Sequence, residues 1–256
     1  MAGPTVVALG DSITVGVGDG AQDPRGPSGW AAHVAAGLGA GRFVNLAVNG
    51  TRARSLGETQ VPSALMELPD VVLLTVGGND VLRGDFDARE IESHVRDALA
   101  RLTRPGRIVC LATIDRIGLF DLVGARVGEL MGRRVVATNA ALVRAAIGTG
   151  TVVVDGAAAL APVGPRAWHI DRVHPSALGH RALAARTLMT LGAPRAALAA
   201  IPSAPPSPAL GARLWWLARH GTPWVAKRSR DLIPQVAGVV AHELAEDRRR
   251  RRATPA

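Results

Sequence analysis

The run Val71-Val72-Leu73-Leu74-Thr75-Val76, closed by Gly77-Gly78, limits the fold more than any other segment. A strand with apolar side chains on both faces must be covered on both, the condition of a parallel sheet flanked by helices. Four other runs repeat the pattern. Thr5–Leu9 ends at Gly10, while Phe43–Ala47, Arg107–Ala112 and Thr151–Val154 read as the second, fourth and fifth strands. Helices are expected between them at Trp30–Leu38, Asp87–Arg101, Arg133–Ile147 and Ala177–Leu188. In the second of these, Ile91, Val95, Ala98 and Leu102 share one face, and Asp87 is placed to cap the N-terminus. This alternation predicts a three-layer α/β/α sandwich around a five-stranded parallel sheet, flavodoxin-like in arrangement. Sites in such sheets form at the carboxyl ends of the strands.

Reactive residue types stand at those ends. Gly10-Asp11-Ser12 follows the first strand, Gly50 the second, and Gly77-Gly78-Asn79-Asp80 the third; Asp171-Arg172-Val173-His174 comes after the fifth. A serine hydroxyl becomes a competent nucleophile only beside a base. Ser12 is the candidate nucleophile, although Asp-Ser also starts turns and caps helices. Of the seven histidines, His174 fits the base best. Asp171 lies three residues before it, close enough to accept from Nδ1–H while Nε2 faces the serine. Pro175 biases His174 toward an extended backbone. His169 and His180 have no acid at that spacing, and His180 falls within the last helix, where a surface or packing role is expected. A zinc site on His169, His174 and His180 would lack cysteines and the compact spacing of zinc ligands. Asn79 offers a side-chain N–H₂ to a developing oxyanion, its alternative being an Asx-turn. The backbone N–H of Ser12 is a second donor. Asp11 and Asp80 read as loop braces that accept backbone N–H groups, and Asn49 as a lesser candidate for substrate contact.

These four motifs, in this order, resemble those of the SGNH hydrolases, or GDSL esterases and lipases, over roughly residues 5 to 190. Ile13 stands where that family carries its eponymous Leu, and Arg172 where small residues are frequent, which would narrow the mouth of the site. The resemblance implies an SGNH-type flavodoxin-like fold and a triad of Ser12, Asp171 and His174. It adds Gly50 to Ser12 and Asn79 as an oxyanion donor; by itself Gly50 reads equally as a turn glycine. It further implies hydrolysis of carboxylic esters through an acyl-serine intermediate, without cofactor or metal. Short acyl esters, lysophospholipids, thioesters and acetylated sugars are the substrates it brings into view. The same residues would serve an acyltransferase with an alcohol replacing water. A lipid-binding module with degenerate activity is a third reading, one that predicts loss of a catalytic residue. The loops Val15–Gly29 and Asp115–Gly132 would border the acyl pocket.

Composition bounds the rest. The 256 residues, 48% of them apolar, suffice for one α/β domain with an appendage. Cys110 is the single cysteine, so no intrachain disulfide forms, and it reads as a buried thiol. The chain enters Thr5–Leu9 with neither a charged n-region nor a long apolar stretch, and no run approaches the length of a membrane span, so a cytoplasmic protein is expected. The net charge is +9, of which residues 210–256 hold +6, largely in Arg248–Arg252. Five terminal arginines read as a solvated end, and no nucleic-acid partner is expected. Residues 1–192 would form the catalytic domain, 193–209 a Pro/Ala-rich extended linker, 210–247 a helical extension and 248–256 a basic tail. Trp215, Trp216 and Trp224 lie in the extension beside Arg213, Arg219, Lys227, Arg228 and Arg230. Segment 210–246 would dock on the catalytic domain or meet an anionic membrane surface. Nothing in the sequence fixes the oligomeric state.

Overall fold

The computed structural model describes residues 3–19, 29–122 and 124–205, together with Gly211, Trp215 and Gly238. Five strands are formed by Thr5–Gly10 (β1), Arg42–Asn45 (β2), Val71–Thr75 (β3), Ile108–Ala112 (β4) and Val152–Val154 (β5). They make one parallel sheet in the order β2-β1-β3-β4-β5, the doubly wound order in which the site lies where the winding reverses. Between and after the strands run α1 (Ser12–Val15), α2 (Gly29–Gly37), α3 (Ala53–Met66), α4 (Gly78–Val81), α5 (Ala88–Leu102), α6 (Ala125–Ala146), α7 (Gly156–Leu160), α8 (Ala177–Thr190) and α9 (Arg195–Ala199). Turns of 3₁₀ helix span Gly118–Leu122 and, broken by a kink at Gly164, Ala161–Ala167.

Strand alternation divides the core in two. Val7, Leu9, Val72, Leu74, Val109 and Leu111 face α3, α5 and α6. Val6, Ala8, Val71, Leu73, Cys110 and Ala112 point the other way, toward Trp30, Val34, Leu183 and Leu188 of α2 and α8. These strands are buried on both faces, as their composition requires. Asp87 caps α5 by accepting from the N–H groups of Arg89 and Glu90. The Cys110 thiol is buried, which pushes its pKa up to about 12 and makes it inert.

Three segments depart from the sequence expectations. No helix was expected over Ala53–Met66, yet α3 buries Ala53, Leu56, Gln60, Val61 and Ala64 along one face. Gly57, Ser63 and an interior proline, Pro62, obscure that stripe. The expected helix Arg133–Ile147 starts eight residues earlier, at Ala125, because Leu130 and Met131 are also buried. The linker expected over 193–209 is not extended throughout. Residues 195–199 form α9, and Ala193, Ala197, Leu198 and Ile201 pack on the α2/α8 side of the core. The helical extension and basic tail lie outside the described residues, apart from Gly211, Trp215 and Gly238. Among the described residues no helix is long and apolar enough to cross a membrane.

Candidate active site

Ser12 is held by the turn at the end of β1. Gly10 has φ +123°, and a Cβ there would lie 1.9 Å from the Thr75 carbonyl oxygen of β3, so no other residue fits this crossing. Asp11, extended, caps α1 by accepting the Ile13 N–H at 3.0 Å, which leaves Ser12 as the first helical residue. Burial pushes the Asp11 carboxyl up to about 7, against the pull of the Ile13 hydrogen bond and of His174.

The loop before α8 delivers the base. His174 Nε2 stands 2.9 Å from Ser12 Oγ, and its Nδ1 stands 2.8 Å from Asp171 Oδ2. With Nδ1–H donating to the carboxylate, the Nε2 lone pair is left to accept the serine proton. Asp171 Oδ1 also accepts the backbone N–H groups of Val173 and His174, at 2.9 and 3.0 Å. Burial alone would raise the Asp171 pKa, but hydrogen bonds from His169, His174 and the backbone hold it well below the usual carboxylate range.

His169 reverses one expectation. Its Nδ1 lies 3.3 Å from Asp171 Oδ2, and its N–H donates to the His174 carbonyl, so the turn gives it the acid that its sequence spacing withheld. Arg172 makes the turn at φ +57°, accepting the Leu119 N–H at 3.0 Å. Its side chain is exposed and is not among the residues that line the cavity. His180 is fully buried, so of its two expected roles it takes packing. Its Nδ1 accepts from the Trp30 N–H at 3.2 Å and its Nε2–H donates to the Val17 carbonyl at 2.9 Å. Burial pulls its pKa down to about 4, and with both ring nitrogens committed it has none left for a zinc ion.

The expected oxyanion donors line the same cavity as the serine. Gly50 sits at φ +86° in the loop after β2, and Asn79 is the second residue of α4, entered through Gly77. Asn79 Nδ2 donates one N–H to the Thr51 carbonyl at 3.1 Å; an amide carries a second. Among the described residues, the N–H groups of Ser12 and Gly50 have no intrachain acceptor. Asp80 accepts the Ala53 N–H at 3.1 Å and Arg52 Nε at 3.2 Å, bracing the loop as read from sequence.

Sequence spacing gave no sign of a buried ionic cluster behind the serine. Asp19 accepts the Gly29 N–H at 2.7 Å, His33 Nε2 at 2.8 Å and Arg181 Nη1, tying the loop after α1 to α2 and α8. These partners come from elements up to 162 residues apart, so no local motif could reveal them.

Ser12, Asn49, Gly50, Asn79 and His174 open on a cavity of about 410 Å³. Leu82, Ile114, Ile117, Leu119, Phe120 and Val173 also line it. Of the two loops expected to border it, Asp115–Gly132 contributes Asp115, Ile117, Leu119 and Phe120, and the described part of Val15–Gly29 contributes Val17. A nucleophile, a tautomerically fixed base and convergent N–H donors can together carry out acyl transfer.

A sequence model of the GDSL-like lipase/acylhydrolase family matches residues 8–182. The chain belongs to this family. A catalytic mutant of an acetylxylan esterase from Geobacillus stearothermophilus is 26% identical to it, over 75% of this chain and 95% of that one, with a TM-score of 0.60. An α/β hydrolase enzyme from the metagenome of Lake Arreo, Spain, is 25% identical, over 75% and 96%, with a TM-score of 0.59. Catalytic mutants of the Geobacillus esterase replace an aspartate, a serine or a histidine. A comparison with curated proteins finds no match. As a member of this family, the protein is a serine hydrolase of carboxylic esters.

Proposed function

We propose that Ser12, His174 and Asp171 are the catalytic triad of this ester hydrolase, and that Ser12 N–H, Gly50 N–H and Asn79 Nδ2–H bind the oxyanion. The observation that carries the reading is the continuous line from Asp171 Oδ2 through both His174 nitrogens to Ser12 Oγ, at 2.8 and 2.9 Å. Ser12 Oγ attacks the ester carbonyl as its proton passes to His174 Nε2. The carbonyl oxygen takes up negative charge among the three N–H donors. His174 then protonates the departing alcohol, leaving an acyl-serine. Water, deprotonated by His174, cleaves that ester, and the carboxylic acid and Ser12 are released. Asp171 holds the tautomer and stabilises the imidazolium. The mutated residue types in the Geobacillus esterase support this assignment. Reaction with a fluorophosphonate tests it, with the adduct expected on the peptide containing Ser12; an unlabelled Ser12 in active protein would overturn it.

Asn79→Ala should lower kcat by about 10²–10³ with KM nearly unchanged, since the donor meets the oxyanion more closely than the ground-state carbonyl. An unchanged kcat with a raised KM would make Asn79 a substrate-binding residue.

The acyl group is proposed to extend beyond acetyl. A methyl group alone would leave the side chains of Leu82, Ile114, Ile117, Leu119, Phe120 and Val173 facing water in a cavity large enough for a small ligand. Each methylene buried there is worth about 0.8 kcal/mol, or about fourfold in kcat/KM. Across p-nitrophenyl esters from acetate to decanoate, kcat/KM should climb through the short chains before levelling. A maximum at acetate would instead assign the protein the acetyl specificity named for its Geobacillus relative.

A further inference from the structure

Gln60, on α3, is 3% exposed and belongs to none of the four motifs. Its carboxamide is fully engaged with the end of β1 and with the loop after β2. Oε1 accepts the Gly10 N–H at 2.6 Å, while Nε2 donates to the Gly10 carbonyl at 3.0 Å and to Thr51 Oγ1 at 3.0 Å. The Thr51 hydroxyl donates a hydrogen bond to the Val48 carbonyl at 2.8 Å. The Thr51 carbonyl in turn accepts Asn79 Nδ2 at 3.1 Å. One line of hydrogen bonds therefore runs from the end of β1 through Gln60 and Thr51 to α4. Each proposed oxyanion donor adjoins a point on this line. Ser12 lies two residues after Gly10, Gly50 immediately precedes Thr51, and Asn79 is the last member.

We propose that Gln60 is a positioning residue that sets the mutual spacing of the three oxyanion donors. The inference rests on the site reading above and extends it to a residue that touches no substrate. Donors stabilise an oxyanion only if they are fixed near 2.7–3.1 Å from it before charge develops. Three donors on three separate segments, the starts of α1 and α4 and the loop after β2, need a rigid cross-member. A buried amide that reads both polar groups of Gly10 and the hydroxyl of Thr51 is such a member, because any shift of one loop breaks a desolvated hydrogen bond.

The test is Gln60→Met, which preserves length and volume and removes every hydrogen bond, assayed on a soluble ester below its unfolding temperature. Misplacement of donors by a fraction of an ångström to 1 Å should lower kcat by about 10- to 100-fold while KM moves less than about twofold. In an Asn79→Ala background the same change should cost less than about threefold, since part of the array it aligns is already gone. Equal costs in both backgrounds would mean a general structural role and overturn the proposal. If Gln60→Met does not fold, Thr51→Val decides, since it cuts the line between Gln60 and the Gly50 loop; a wild-type kcat there overturns the proposal. Asn79→Ala separates the two levels of the argument. If it leaves kcat intact, the oxyanion reading fails and this inference with it. If Asn79→Ala is slow while Gln60→Met turns over like wild type, only the role of Gln60 is lost.

Discussion

Ser12→Ala is expected to fold normally and to lose about four to six orders of magnitude in kcat for ester hydrolysis. The expected loss is large because, among the described residues, Ser12 Oγ is the nucleophile hydrogen-bonded to His174 Nε2. The fold should survive, since the hydroxyl holds no core contact together and Asp11, not Ser12, caps α1. A small rate above that of water should remain, because the donors around the carbonyl oxygen persist without the serine. Circular dichroism would report the fold and a chromogenic ester the rate. Turnover like that of wild type would mean that hydrolysis takes place elsewhere in the chain.

Asp171→Asn should be almost as damaging, at about 10⁴ in kcat. Its Oδ1 can still accept the N–H groups of Val173 and His174, so the loop should keep its shape. What changes is the atom facing His174 Nδ1. An amide N–H there moves the imidazole proton to Nε2, and a protonated Nε2 cannot take the proton of Ser12. Stability should respond with opposite character. The native Asp171 carboxyl titrates below its unfolded counterpart, so its contribution is present above the unfolded carboxylate pKa of about 3.9 and is lost as pH falls below it. The wild type should therefore lose more stability than the Asn variant on acidification from pH 5 to pH 2. Activity surviving Asp171→Asn would show that another carboxylate orients His174.

The strands and the Asp171–His174 pair were legible in the sequence for one reason: each is encoded over a few neighbouring residues. A β-branched run ending in glycine marks a buried strand and its catalytic end, and three residues suffice to bring Asp171 against His174. The illegible parts depend on contacts across the sheet. Ala53–Met66 looks broken by Gly57, Pro62 and Ser63, and only the packing of Leu56, Val61 and Ala64 against β1 and α5 makes it a helix. With α3 unread, Gln60 had no address. His169 likewise reaches Asp171 through a turn with Arg172 at positive φ, a conformation that its residue type does not announce. Residues 195–199 read as extended because Pro194 suggests an open chain, whereas it precedes α9 and leaves Ala197 to pack inward.

Ser12 and His174 meet across 162 residues of sequence, and that separation orders events at the ribosome. Ser12 leaves the ribosome 162 residues ahead of His174, its proposed base, which arrives only when nearly the whole domain has been made. Until α8 settles against α2 and draws the preceding loop over β1, the serine is an ordinary alcohol in water. On the proposed assignment, a fragment released before residue 174 should have no hydrolytic activity however well its sheet has formed. Turnover reports completion of the domain, not merely its presence.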